Sequence, residues 1–383
     1  CTATQPKLEL RPQPEELMNN CTELFEKMKR VTYIPQLKPQ LHNGEAAGKI
    51  SALLSKQSVL TIVNTKAVAR DVYYEVVARL PETGMVPVSA TLNSSDEELT
   101  PLKENEVLCV HMSTLLCPAH RKQLIKQIKL RLKEGSRVFC VSTALIEAGI
   151  NVSFPVVVRS LAGLPSIVQA AGRANRSMEY ENGNVYIWKF CDEKLGYLPD
   201  IQNGGNITSS IFSEESSAEP DSPERIEKYF SLEENYIEKK RDYPLDGERP
   251  TLYSLISDND KLVKTARDFK ENRALILHQS FRTAYREFEV IAQNTKTVIV
   301  PFGGGKELIA KLKSESSMNQ LRFLLKAVQA YAVALPESTF NMLCDKGAIT
   351  GLGDIGVYCL EEGYYDQNSG VTLERGELEL MVI

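Results

Sequence analysis

Arg137-Val-Phe-Cys-Val-Ser-Thr143, Phe154-Pro-Val-Val-Val-Arg-Ser-Leu161 and Asn184-Val-Tyr-Ile-Trp-Lys-Phe190 are three short apolar runs, and Pro165–Arg173 between the last two reads as a helix. Further out, Ser58–Asn64 and Glu106–Ser113 are runs of the same kind, separated by helical stretches at Lys66–Leu80 and Pro118–Glu134. Near-continuous β-branched strands that alternate with helices need cover on both faces. The expected fold is an α/β domain with a doubly wound parallel sheet.

At 383 residues the chain has room for two or three domains. Its 43% hydrophobic and 25% charged residues are those of a soluble globular protein. No run approaches the roughly 18–20 apolar residues that span a bilayer, and no signal peptide opens the chain. A cytoplasmic setting and no membrane partner are expected. Eight cysteines form no C-x-x-C pair, and none of the four histidines stands at zinc spacing from one, so no metal site is expected. The net charge of −5 does not mark a dedicated nucleic-acid binder.

Beyond the alternating region, Gly196–Ser222 is rich in Ser, Gly, Asn and acids and reads as a linker or loop. Helical periodicity resumes at Pro223–Lys239. From Thr251 to Ile383, helical stretches (Leu262–Arg286, Ser316–Ala334) mix with strand-like runs (Thr297–Pro301, Gly356–Leu360), as in a smaller α+β accessory domain. Gly303-Gly-Gly-Lys306 is no phosphate loop, because Val300 and Glu307 stand where that motif needs Gly and Ser or Thr. Lys122, Lys126, Lys129 and Lys133 form a stripe best read as a solvated helix face, and Trp188 reads as core.

The chemistry concentrates in Gln169-Ala-Ala-Gly-Arg-Ala-Asn-Arg176. On a continuous helix Gln169, Arg173 and Arg176 would share one face, and the small residues between them keep the helix slim. Two arginines on one face repel unless a polyanion lies opposite, and a triphosphate suits their forked donors. Upstream, Ser142-Thr143 ends a strand, and Glu147 and Gly149 follow in a loop or short helix, a position suited to holding phosphates.

Thr143-x-x-x-Glu147-x-Gly149 and Gln169-x-x-Gly172-Arg173-x-x-Arg176 resemble motifs V and VI of superfamily 2 helicases. Thr2-Ala-Thr4 resembles motif III and Val63-Asn-Thr65 motif IV. More narrowly, the chain resembles the C-terminal half of the CRISPR-associated helicase-nuclease of type I systems. The supporting strings include Cys1-Thr-Ala-Thr-Gln-Pro6, His111-Met-Ser-Thr114 with Cys117-Pro-Ala-His-Arg121, Val298-Ile-Val-Pro-Phe302 and Tyr364-Tyr-Asp366. Because Cys1 opens the chain inside an apparent motif, an internal fragment or processed piece of a longer protein is expected. The implied division is the end of a first RecA-like domain (1–6), a second RecA-like helicase domain (7–192), a linker with a helical segment (193–250) and an accessory domain (251–383).

The resemblance implies that ATP lies between two RecA-like domains while single-stranded DNA crosses both. Arg173 and Arg176 would reach the γ-phosphate, with Arg176 the finger. Gln169, Gly172, Glu147, Gly149 and Asn151 would lie on the nucleotide side, with Asn151 standing where the family usually has Asp. Asn64, Thr65, Ser113, Ser142 and Thr143 would hold DNA phosphates, and Thr2 and Thr4 would couple the two sites. The Mg²⁺ that accompanies ATP would be held by a first motor domain that this chain lacks, so the chain alone is expected to be inactive. Expected partners are single-stranded DNA, the N-terminal nuclease and first motor domain, and the CRISPR target-recognition complex (Cascade). The alternatives are a regulatory or docking module, or part of another superfamily 2 DNA or RNA helicase.

Overall fold

The computed structural model describes residues 20, 23–24, 27–90, 100–214, 219–237, 251–257, 279–288, 295–314, 318–352 and 356–375. The expected sheet is present and has seven strands: β1 (Val31–Leu41), β2 (Val59–Ile62), β3 (Val86–Ser89), β4 (Glu106–Met112), β5 (Arg137–Ser142), β6 (Val156–Ser160) and β7 (Gly183–Phe190). Their order is β1-β7-β6-β2-β5-β4-β3, and every neighbouring pair is parallel. The central strands β2, β5 and β6 are buried almost throughout, as strands covered on both faces must be.

Strand alternation sorts the core into two layers. Val59, Val107, Cys109, Phe139, Val141, Val156, Val158 and Trp188 pack beneath helices α1 (Asn43–Leu54) and α2 (Lys66–Arg79). Leu60, Ile62, Leu108, Val110, Val138, Cys140 and Val157 face the other way, toward α3 (Pro118–Lys133) and α4 (Leu164–Ala171). Trp188 is buried core, as its place in a strand suggests.

Both edge strands escape the sequence reading, for one physical reason. β1 carries Pro35 and Pro39 and β3 carries Pro87, and both are half exposed, so neither shows an apolar run. Proline has no N–H for a ladder, which suits it to an edge.

Gly196–Ser222, read as a linker or loop, instead carries helix α5 (Pro199–Glu214), followed by α6 (Pro223–Ile237). The glycines that suggested looseness are contact points. A Cβ on Gly204 would lie 3.0 Å from Gly163 Cα and 2.9 Å from the Tyr229 hydroxyl.

Residues 1–229 and 295–383 form one compact unit, and residues 230–294 form a second. In the second, the described short helices α7 (Leu252–Ile256) and α8 (Phe281–Glu287) meet through Leu252, Leu255 and Ala284. Much of the expected helix Leu262–Arg286 lies outside the described residues. From Thr295 onward, β8 (Thr295–Ile299), β9 (Ala332–Pro336), β10 (Ile349–Leu352) and β11 (Val357–Leu360) form a mixed sheet in the order β10-β11-β8-β9. Helices α9 (Gly305–Ser314), α10 (Met318–Ala327) and α11 (Glu337–Asp345) accompany it. The expected helix Ser316–Ala334 gives way after Ala327 to a short turn and then β9, where Val333 and Leu335 alternate into the core. No helix among the described residues is long and apolar enough to cross a membrane.

Beyond the accessory sheet a separate small hairpin, β12 (Tyr365–Asp366) and β13 (Gly370–Val371), grips the loop after β4. Val371 N–H donates to Leu115 O at 3.1 Å, and Cys117 N–H donates to the Tyr365 hydroxyl at 3.2 Å. His120 stacks on Phe302 with ring centroids 4.1 Å apart, and its Nδ1 lies 3.0 Å from the Tyr365 hydroxyl. His111 Nδ1 donates to Asn368 O at 3.3 Å. Gly370 has φ +80°, and a Cβ there would lie 2.3 Å from Leu115 O.

Two predictions follow from this latch. Gly370→Ala forces either the left-handed backbone or the contact to give way, and should destabilise the unit by on the order of 3 kcal/mol in denaturant titrations. Burial lowers His111 and His120 from 6.5 to about 4. The unfolded chain therefore takes up these protons near pH 6.5, while the folded chain resists until about pH 4. Stability should fall between those limits, by roughly 3 kcal/mol per histidine, and be insensitive to these groups above pH 7. Thermal midpoints measured against pH should show this slope, and His120→Gln should reduce it.

Candidate functional site

In an open parallel sheet, ligands gather beyond the carboxyl ends of the strands. There the structure brings together the loops after β2, β4, β5, β6 and β7. Thr65 follows β2 and caps α2, its Oγ1 accepting from Val68 N–H at 3.3 Å. Ser113 follows β4, fully buried, and its Oγ accepts from Leu115 N–H at 3.2 Å. Ser142 ends β5, also fully buried, and donates to Met112 O at 3.0 Å. The hydroxyls of Ser113 and Ser142, expected to hold DNA phosphates, are thus turned inward, the first onto its own loop and the second across to the end of β4. Thr143 is half-buried on extended backbone, and Thr114, which the sequence reading passed over, is exposed.

The loop after β5 makes a short turn over Ala144–Ile146 and continues through Glu147 to Gly149, which has φ +71°. Between this loop and α3 lies a cleft of about 330 Å³ lined by Pro118, Arg121, Lys122, Ile125, Leu145 and Gly149, among others. Arg121 and Lys122 place positive charge on an otherwise apolar wall.

The centre of the site is a buried ion pair that motif spacing did not predict. Arg159 Nε lies 2.9 Å from Glu147 Oε1, with both side chains almost wholly buried. Arg159 Nη1 donates to Asn64 Oδ1 at 2.8 Å, and Nη2 to Ser166 Oγ at 2.8 Å. Ser166 Oγ in turn donates to Glu147 Oε2 at 2.8 Å. Asn64 is held from its other side by Glu193, which accepts from its backbone N–H at 2.6 Å and its Nδ2 at 2.7 Å. Ser160 Oγ donates to the same carboxylate at 2.7 Å. Glu147 and Asn64, expected to face nucleotide and DNA, are thus engaged within the fold. The missed signal was Arg159 itself: a charge inside Val156-Val-Val-Arg-Ser160 must be paired if the strand is central.

The Gln169–Arg176 segment departs from the expected single helical face. The helix stops at Ala171, with Gly172 as its cap. Ala174 then pairs with Phe154 in an isolated parallel bridge just ahead of β6, and Asn175 turns the chain at φ +44°. Asn175 is buried, donating to Tyr180 O at 2.9 Å and accepting from Tyr180 N–H at 3.0 Å. The two arginines consequently diverge. Arg173 is buried; its Nε donates to Ile146 O at 2.9 Å and its Nη2 to Glu147 O. Burial and the nearby Arg176 lower its pKa, while Glu147 opposes them. Arg176 is exposed and makes a long 3.4 Å hydrogen bond to Gly172 O. Gln169, Gly149 and Asn151 are exposed, and Thr2 and Thr4 lie outside the described residues.

Residues 55–179, from before Asn64 to just past Arg176, match the family model for the CRISPR-associated nuclease/helicase Cas3, C-terminal. This segment is Cas3-like. Cas3 from Haloferax volcanii is 34% identical over 121 residues, which is 31% of this chain and 12% of that protein. Among solved structures, T. fusca Cas3 with AMPPNP gives a TM-score of 0.55 at 11% identity, covering 90% of this chain and 42% of that one. T. fusca Cas3 with ADP gives 0.54 at 11% identity, covering 94% and 44%. A chain of a CRISPR RNA-guided surveillance complex, pre-nicking, gives 0.51 at 13% identity, covering 90% and 44%. At such identities the structures establish a shared fold, in which the seven-stranded sheet is RecA-like. The chain spans less than half the length of these similar proteins.

The Cas3-like segment contains both partners of the central ion pair. Removing one alone strands the other, so Arg159→Met or Glu147→Gln should each cost about 3–5 kcal/mol, with the double variant recovering part of the loss. Denaturant titrations of a double-mutant cycle measure this, and additive losses would show that the pair is uncoupled.

Proposed function

We propose that this chain supplies the second motor half of an ATP-driven, single-stranded-DNA-translocating helicase-nuclease of CRISPR interference. The observation that carries this reading is the parting of the two motif VI arginines. Arg173 is bound to main-chain carbonyls of the loop after β5, whereas Arg176 stands exposed beside it, open to an anion from outside the chain. An arginine so placed suits the role of a finger on the γ-phosphate of an ATP held by another domain. The T. fusca relatives were solved with AMPPNP and ADP, which accords with nucleotide binding in this fold.

Arg173 then acts as a positioning residue that fixes the loop carrying Glu147 and Gly149. Gln169, Gly172 and Asn151 would border the nucleotide. Thr65, Thr143 and the exposed Thr114, with Arg121 and Lys122 along the adjoining cleft, would follow the DNA backbone through charge and hydrogen bonds without reading sequence. Thr2 and Thr4 would carry the coupling between the two sites. Mg²⁺ and its ligands, the phosphate loop and the nuclease would belong to a separate front portion. Partners would be that portion and the CRISPR target-recognition complex, in the cytoplasm. A relative found in a surveillance complex supports the last partnership.

The test is reconstitution of this chain with a matching front portion. The chain alone should hydrolyse no ATP, with or without single-stranded DNA, and the reassembled motor should. Arg176→Ala should lower DNA-stimulated turnover by about 10³-fold or more while leaving DNA affinity nearly unchanged. Turnover close to that of the unmodified motor would overturn the finger assignment. ATP hydrolysis by the chain alone would overturn the division of labour.

A further inference from the structure

Sequence spacing hides a group of metal-ligand side chains that the fold assembles. β1 and β7 run side by side, with Leu41 opposite Phe190, and Cys191 N–H donates to Leu41 O at 3.0 Å. This register sets His42 beside Cys191, although 149 positions separate them in the chain. Asp192 joins them: its Oδ2 accepts from Asn43 N–H at 2.7 Å, and its Oδ1 lies 3.0 Å from His42 Nδ1. One ligand atom from each of His42, Cys191 and Asp192 lies within 4.8 Å of the others, and all three residues are exposed.

We infer that His42, Cys191 and Asp192 form a solvent-accessible site for a zinc-class divalent cation. The chemistry of the donors selects the ion: thiolate, imidazole and carboxylate together suit borderline-soft Zn²⁺ or Co²⁺ rather than Mg²⁺ or Ca²⁺, which prefer all-oxygen shells. A tetrahedral ion holds sulfur at about 2.3 Å and nitrogen or oxygen at about 2.0–2.1 Å, so its ligand atoms lie roughly 3.3–3.7 Å apart. His42 Nδ1 and Asp192 Oδ1, 3.0 Å apart, already nearly meet that spacing, and the exposed Cys191 Sγ lies within 4.8 Å of both. The backbone is set beforehand by the β1–β7 ladder and the Asn43–Asp192 bond. Binding displaces the Cys191 thiol proton and moves the imidazole proton to Nε2, leaving the fourth position to water. The site clamps the start of α1 to the end of β7, one residue before Glu193, which holds Asn64.

Titration of the reduced, metal-stripped chain with Co²⁺ tests this directly, since thiolate-to-cobalt charge transfer absorbs in the near ultraviolet. The full chain should take up an equivalent of Co²⁺ with that band, and Zn²⁺ should displace it. Cys191→Ser and His42→Ala should each lose that equivalent, Asp192→Asn should weaken it by 10–100-fold, and Cys344→Ser should leave it intact. If the full chain takes up no ion, or if Cys191→Ser and His42→Ala bind as the parent does, the site is refuted. Circular dichroism of the variants, all at exposed positions, separates lost binding from lost folding.

Discussion

Glu147 and Arg159 form an ion pair removed from water at the carboxyl end of the sheet, and the site is organised around it. Taking two charges out of water costs several kcal/mol each, and mutual attraction offsets that only when the remaining donors and acceptors are also satisfied. Here Asn64, Ser166 and the Ser160 carbonyl complete the arrangement around Arg159. A pair of this kind contributes little net stability compared with a well-packed apolar substitute. Its value is geometric, because each partner comes from a different part of the sheet domain. Glu147 lies on the loop after β5, Arg159 on β6, Asn64 after β2, and Ser166 in the first turn of the helix that leads to the arginines. A shift of any one leaves a buried charge without its partner, so the four segments are held in one register.

A second constraint acts from outside the sheet. The loop after β4, which follows the buried Ser113, is held by the accessory hairpin through Leu115, Cys117 and His120. The contact at Gly370 is so close that no side chain fits, and burial in the same latch favours the neutral form of both histidines. The hairpin beyond the accessory sheet therefore braces the loop after β4, and such contacts join residues 295–383 to the unit that holds residues 1–229.

The parallel sheet was legible because its central strands are buried on both sides and so spell short, mostly apolar runs. The edge strands were not, since Pro35, Pro39 and Pro87 mark them as loops to any reading that seeks apolar runs. Helix α5 was hidden for the opposite reason: Gly204 and Gly205, ordinarily signs of flexibility, serve close approach to Gly163 and Leu161. Within the site, the strings around Thr143, Gly149 and Gln169–Arg176 were visible because their residues are consecutive or nearly so. The side chains that hold them in place come from separate strands. Glu193, Ser166 and Arg159 became partners only once the topology put β2, β6 and β7 side by side. The same holds for His42 and Cys191, which no spacing rule could have joined.

The parting of Arg173 from Arg176 follows from where the helix stops. Had it continued through Arg176, both guanidinium groups would have lain on one face and repelled each other, and neither would have been fixed in place. Ending at Gly172 and pairing Ala174 with Phe154 turns the chain so that the first arginine points into the protein and the second away from it. Once inside, Arg173 must find acceptors, and the nearest are the carbonyls of Ile146 and Glu147. Glu147 is the residue whose side chain is paired with Arg159, so its backbone and its carboxylate tie the arginine segment and the strand ends to a single point. Arg176 is then mounted on a base already fixed by two buried arginines, which is the condition under which an exposed, flexible side chain can be presented repeatedly in one direction.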